Sequence, residues 1–305
     1  ASPFYNVIWN NISNKLLLDL SILLTATIAA RINIPHQNIR TFISICIYNP
    51  LIIYSLMRNL KDSLFLALMI CIMYFYIRII EKFSIIWLLI ILCITFFITS
   101  IRPWGFLILP ALLISTLITK NRRNNKKNNI RSVFIVIALL CFFIIIWLTG
   151  LWNHVKIWTP VIFENAKTQS IYNLVLAPFK ILIGPGPWRS IMGSKYFMFY
   201  TLSGNVMTAI GAAMWWYCLA CFAVQYRKYK ITNIGMMFAI ICLFFLFVYS
   251  LQYGGSLELR FRGVIYIITS AMLMCNSKEA ISMNLNSKSL AAVIFITIVG
   301  TVAGI

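Results

Sequence analysis

The feature that most constrains this chain is the spacing of its charges. Apolar residues run in blocks of about 15–20, the length a helix needs to cross a hydrocarbon layer of about 30 Å. The blocks are Leu16–Ala30, Thr41–Met57, Ser63–Ile80, Ser84–Thr99, Trp104–Thr119, Ser132–Leu151, Tyr196–Gln225, Asn233–Ser250, Gly263–Cys275 and Leu290–Gly304. They are apolar all round and do not alternate, so helices are predicted and the period-2 strands of a membrane barrel are excluded. Of 305 residues, 61% are hydrophobic and 10% are charged, whereas soluble domains carry about 25% charged residues. A soluble enzyme, a nucleic-acid-binding module and a disordered chain are thereby excluded. The expected fold is all-α, a single polytopic transmembrane domain over 1–305 with about nine or ten spans. No internal repeat or interdomain linker interrupts it.

Charge gives the orientation. Lys and Arg total 26 against 6 acids, a formal +20, and basic residues collect in the cytoplasmic loops of membrane proteins. The segment Lys120–Arg131 has six basic residues and no acid, which makes it the expected cytoplasmic loop. Alternation from there places Arg31, Arg40, Arg78, Lys82, Arg227–Lys230, Lys278 and Lys288 on the same side. The basic balance therefore reports topology and calls for no nucleic-acid partner. All eight cysteines lie in apolar segments, with no disulfide framework implied. Cys218 and Cys221 have redox-motif spacing but no His or acid nearby. No cleavable signal pattern precedes the first block and the chain starts with Ala, so it reads as a fragment or a processed product.

The informative residues are the charges left on the opposite side. Three turns keep arginines there: Arg58–Asp62, Ile101–Trp104 and Leu257–Arg262. The longest loop, 152–195, is also extracytoplasmic and contains His154, Lys156, Glu164, Lys167, Lys180, Arg189 and Lys195. Three of the six acids, Asp62, Glu164 and Glu258, fall on this face. Ionisable groups at such positions pair with one another or mark a substrate path. Converging guanidinium groups suit a phosphate or pyrophosphate, because the planar fork donates two charge-assisted hydrogen bonds. At that depth the available anion is the headgroup of a lipid carrier.

Chemistry at this face needs a base for an acceptor hydroxyl and cations for a departing phosphate. Glu258, Glu164, Asp62 and His154 are the candidates for the base. Arg58, Arg102, Arg189, Arg260 and Arg262 are the candidates for the cations. Asp62 has a competing role as a first-turn acid of a helix, where the dipole favours it, and the same argument applies to Asp19. Glu258 has a competing role as neutraliser of Arg260 and Arg262. Trp104 and Trp188 are candidates to stack on a sugar, or to anchor the chain at the interface. Ile171–Ile183 is amphipathic and basic enough to lie in the interface plane, and Gly184–Arg189 is a rigid turn after it. With so few acids, no dedicated metal site and no cofactor are expected.

Three stretches carry a resemblance. Asn49–Asp62, with a Pro followed by Arg/Lys and an acid, the Arg102-Pro103 turn of Ile101–Trp104, and the Arg-x-Arg element of Glu258–Arg262 resemble segments of bacterial surface-polysaccharide membrane proteins. Similar elements occur in O-antigen repeat-unit polymerases of the Wzy type and in polyprenyl-sugar-dependent membrane glycosyltransferases. The resemblance implies an enzyme of the bacterial inner membrane that polymerises undecaprenyl-pyrophosphate-linked oligosaccharide repeat units of O-antigen or capsule at the periplasmic face. It also implies a chain-length regulator protein as partner. A glycosyltransferase using a polyprenyl-phosphate sugar is the alternative, and a lipid-oligosaccharide flippase or other transporter a further one. Two departures stand against the pattern. The tail Ala1–Lys15 lacks the acid that such transferases carry in their first extracytoplasmic loop, and only one extracytoplasmic loop is long, where the polymerases have two. A flippase would also need charges deep in the bundle and broken helices, neither of which the sequence announces.

Overall fold

A computed structural model describes residues 3–57, 60–120, 147, 150–184, 186–188, 202–253, 259–277, 279–281, 283 and 286–302. The described residues form helices, and among them a single isolated bridge joins Tyr229 and Ser277. The first half contains α1 (Pro3–Arg31), α2 (His36–Tyr48), α3 (Pro50–Met57), α4 (Leu60–Glu81), α5 (Ile85–Ile101) and α6 (Ile108–Lys120). A 3-10 turn, Pro103–Leu107, links α5 to α6. The second half contains α7 (Leu151–Lys167), α8 (Ile171–Ile183), α9 (Leu202–Val224), α10 (Asn233–Tyr253), α11 (Leu259–Cys275) and α12 (Ser287–Val302). Among the described residues, four helical segments, Trp9–Arg31, Lys61–Glu81, Gly204–Val224 and Asn233–Gln252, are long and apolar enough to cross a membrane. The bent pair α2–α3 makes a fifth. The predicted block Ser132–Leu151 lies almost wholly outside the described residues, as do Lys278 and the basic loop after Lys120.

One end of the bundle is basic and tightly tied. Arg31 at the end of α1 meets Glu81 at the end of α4 at 3.1 Å, so these two helices run parallel with α2–α3 returning between them. Asn38 on α2 donates to the carbonyl of Glu279 at 2.9 Å and accepts from the Ile281 amide at 2.7 Å. Lys228 donates to the Ala280 carbonyl at 3.0 Å, and the Lys230 amide to that of Asn276 at 2.7 Å. Arg31, Arg78, Arg227 and Lys230 thus share one end, as charge patterning predicted.

The block Thr41–Met57 is not one helix. The chain bends by 60° between α2 and α3, because Asn49 is extended and Pro50 follows it; a residue before proline avoids the helical region. Pro50 then occupies the first helical position, where its missing N–H costs nothing. The freed backbone groups are met by Asn49 itself, which is fully buried. Its Oδ1 accepts from the amides of Leu51 and Ile52 at 2.9 and 3.3 Å, and its Nδ2 donates to the Gly211 carbonyl of α9 at 3.0 Å. The break is therefore also a contact between spans. A broken helix, absent from the sequence reading, is present.

The first span also differs from its prediction. Helix α1 begins at Pro3, far ahead of Leu16, so Asp19 is not a first-turn acid near a helix end. It lies in the middle of the candidate span Trp9–Arg31 and is paired with Lys15. A helix dipole does not act that far from a terminus; the i,i+4 ion pair is what holds Asp19.

Gly211 permits the approach of α9 to the break. A Cβ there would fall 2.5 Å from the Leu51 backbone nitrogen. Gly211→Ala is expected to cost about 1–3 kcal/mol through overpacking, and Asn49→Ala about 1–3 kcal/mol through loss of a cap and a buried bond. Thermal unfolding of the detergent-purified variants against wild type measures both.

Candidate functional site

At the end opposite the basic one, α3 ends against the starts of α4 and α11. Its last turns are tied on three sides. Asn14 of α1 donates to the Met57 carbonyl at 2.7 Å, Ser63 of α4 donates to the Leu56 carbonyl, and Gly263 of α11 packs directly on Ser55. Small residues at these crossings let the helix backbones close up.

Asp62 and Arg102, predicted on separate turns, form an ion pair here. Asp62 sits in the first turn of α4 and is 2% exposed. Arg102 is the extended residue that ends α5 before Pro103, which turns its side chain back over the start of α4. The pair binds the 101–104 turn to the 57–62 junction. Removing either partner from a buried pair leaves an uncompensated charge. Trp104, two residues on, packs edge-to-face with Phe65, Phe245 and Tyr249 at centroid distances of 5.1, 5.1 and 5.6 Å. Its ring is buried in the core between α4 and α10.

The second pair of regions is joined by a different device. Helix α8 has the bounds predicted for the amphipathic segment, is capped by Ser170 accepting the Asn173 amide at 3.2 Å, and carries Pro178 within it. Its C-terminal end does not lie on the surface. It enters the bundle between α9 and α11; the Lys180 carbonyl accepts from the Gly184 amide at 3.0 Å, and side chains take this carbonyl and those that follow, which the helix leaves without backbone partners. Arg262 donates to the carbonyls of Lys180 at 2.9 Å and Ile181 at 3.2 Å. Trp215 Nε1 donates to Leu182 at 2.8 Å, Trp216 Nε1 to Ile183 at 2.6 Å, and the Tyr266 hydroxyl to Gly184. Trp215 and Tyr266 stack at 4.1 Å and 15°, and Arg262 is 4% exposed. A cation at a helix C-terminus is also favoured by the dipole. Four side chains thus serve five successive carbonyls and fix the turn that follows. Trp188, at the end of that turn, is half-buried against Trp216 at 5.1 Å and 75°.

The remaining candidates are less fully placed. Glu164 is exposed on α7, with its carbonyl accepting from the Thr168 amide at 3.1 Å. Position 154 lies on α7 and position 260 in the first turn of α11, with both side chains outside the described set. Arg58, Arg189 and Glu258 lie outside the described residues. No group of three or more His, Cys, Asp or Glu side chains converges among the described residues. Sequence reasoning missed Trp215, Trp216 and Tyr266. The available signal was a Trp-Trp pair in the middle of an apolar block and a Tyr one helical turn after Arg262.

Arg262→Ala is expected to destabilise the protein by about 1.5–3 kcal/mol, because it removes a charged donor from buried carbonyls, more than Trp215→Phe, which removes one neutral bond at about 0.5–1.5 kcal/mol. Asp62→Ala should cost more than the double variant Asp62→Ala/Arg102→Ala, because only the single variant strands a charge. Unfolding midpoints in detergent give both rankings.

Comparison with protein-family models, with curated proteins and with solved structures finds no match to this chain.

Proposed function

We propose that the protein is a polytopic enzyme of the bacterial inner membrane that joins undecaprenyl-pyrophosphate-linked oligosaccharide repeat units at the periplasmic face. The observation that carries this reading is that Arg102 and Arg262, predicted on separate turns, are both fixed at the end away from the basic loops. Arg102 is there with Asp62, and Arg262 with the end of α8. A donor pyrophosphate would be held by Arg58, Arg189 and Arg260 on that framework. Position 260 stands about 200° around the helix axis from position 262. Arg262, turned to α8, positions the element, while Arg260 is assigned to the ligand.

Asp62 is engaged with Arg102 and acts in this reading by orienting it, so the base for the acceptor hydroxyl is Glu258 or Glu164. Trp188 is the residue proposed to stack on sugar, and Trp104 supports the turn from within the core. Rate would come from positioning two lipid-linked substrates and stabilising the leaving pyrophosphate. A chain-length regulator is the proposed protein partner.

The broken span at Asn49 and the half-helix α8 favour one second reading, a lipid-oligosaccharide flippase, because transporters build substrate sites from discontinuous helices. Purified protein given lipid-linked repeat units separates these. Products growing by whole repeats, lost in Arg260→Ala with unchanged yield of folded protein, support the polymerase. Growth by one sugar indicates the glycosyltransferase, and translocation without growth the flippase.

A further inference from the structure

We propose that the protein pairs with a second copy of itself through the outer half of α1, where Lys15 and Asp19 of each copy complete the other's ion pair. Both residues lie within the candidate span Trp9–Arg31, and their side chains are each 39% exposed. From the helical rise, Asp19 is about 15 Å from Trp9 and about 18 Å from Arg31. A lysine at Lys15 has the stem to reach toward an interface, but aspartate is too short to do so from mid-span.

One intrahelical bond does not satisfy the pair. An ammonium has three donors, and a carboxylate about four acceptor sites. Among the described residues the only ionic partner of each is the other. The pair lies on the exposed stripe of α1, flanked by Ile12, Leu16 and Leu20, which are 44%, 64% and 43% exposed. Hydrocarbon offers such groups nothing.

The charge pattern identifies the occupant. Copies inserted in one membrane share their orientation, so a two-fold axis along the membrane normal sets equal depths side by side. Lys15 of one copy then stands one helical turn from the depth of Asp19 in the other. That is the reach it already makes along its own helix. Two bases and two acids close a reciprocal network, with Asn11, exposed one turn earlier on the same stripe, continuing it. The patch is self-complementary, as an isologous interface must be.

Single-molecule photobleaching of fluorescently labelled wild-type protein, diluted into phosphatidylcholine vesicles, tests this directly. Two bleaching steps per particle are expected. Single steps, or three and more, would overturn the two-fold pairing. Charge variants then test the contact itself. The Lys15→Asp chain and the Asp19→Lys chain should each dissociate at about tenfold lower lipid-to-protein dilution or lose pairing altogether. Mixed with each other, the two chains should recover pairing and co-purify through a tag on one. Because recovery requires both chains to be inserted and folded, it separates a lost contact from a lost fold. Wild-type pairing that both single variants retain at full strength refutes the assignment to Lys15 and Asp19.

Discussion

A helix that ends in a bilayer leaves carbonyls that nothing in the solvent can satisfy, and this chain ends α8 inside its own bundle. The remedy accounts for much of the sequence of the second half. Trp215 and Trp216 are adjacent on α9 and reach two successive carbonyls. Arg262 and Tyr266 are four apart on α11, and so lie on one face, from which they serve the carbonyls before and after that pair. Hydrophobicity alone would have accepted Leu at all four positions. The donors are what allow a non-spanning helix to occupy space between two apolar ones, and they make the Gly184–Trp188 turn a fixed part of the framework.

The first half meets the same constraint at the break in α2–α3. There the exposed groups are amides, and the answer is an acceptor, Asn49 Oδ1, with the amide end of the same side chain spent on Gly211. The result is a short helix, α3, whose start is fastened to α9 and whose end is fastened to α1, α4 and α11. Every arginine-bearing turn that is described connects to one of those partners. The candidate site is organised by backbone satisfaction before any ligand is considered.

The helical class and the gathering of basic residues at one end were readable because apolar runs and basic loops are local and averaged over many residues. The bounds of α8 were readable for the same reason. Where α8 would end in space was not, because a surface amphipathic helix and a half-inserted one have the same composition; the difference lies in donors located thirty or more residues away. Asp62 carried two readings in the sequence, helix-dipole acid and reactive group. Its partner Arg102 could not be assigned, since three arginine-bearing turns were available and only packing selects one. Trp104 shows the limit on aromatic belts: its position beside a turn implied the interface, and the turn instead folds its ring onto Phe65 and Phe245. Asp19 was misplaced because the helix extends through Asn10, Asn11 and Asn14, residues that a hydropathy reading treats as a tail.

A chain with 26 bases and 6 acids cannot neutralise its cations by pairing, and the structure shows what it uses instead. The described ion pairs all lie in the first half, on α1, α4 and α5. In the second half Arg262 turns to the carbonyls of Lys180 and Ile181 at the C-terminal end of α8, where the dipole adds to the attraction, and at the opposite end of the bundle Lys228 turns to the Ala280 carbonyl. Such acceptors orient a cation without cancelling its charge.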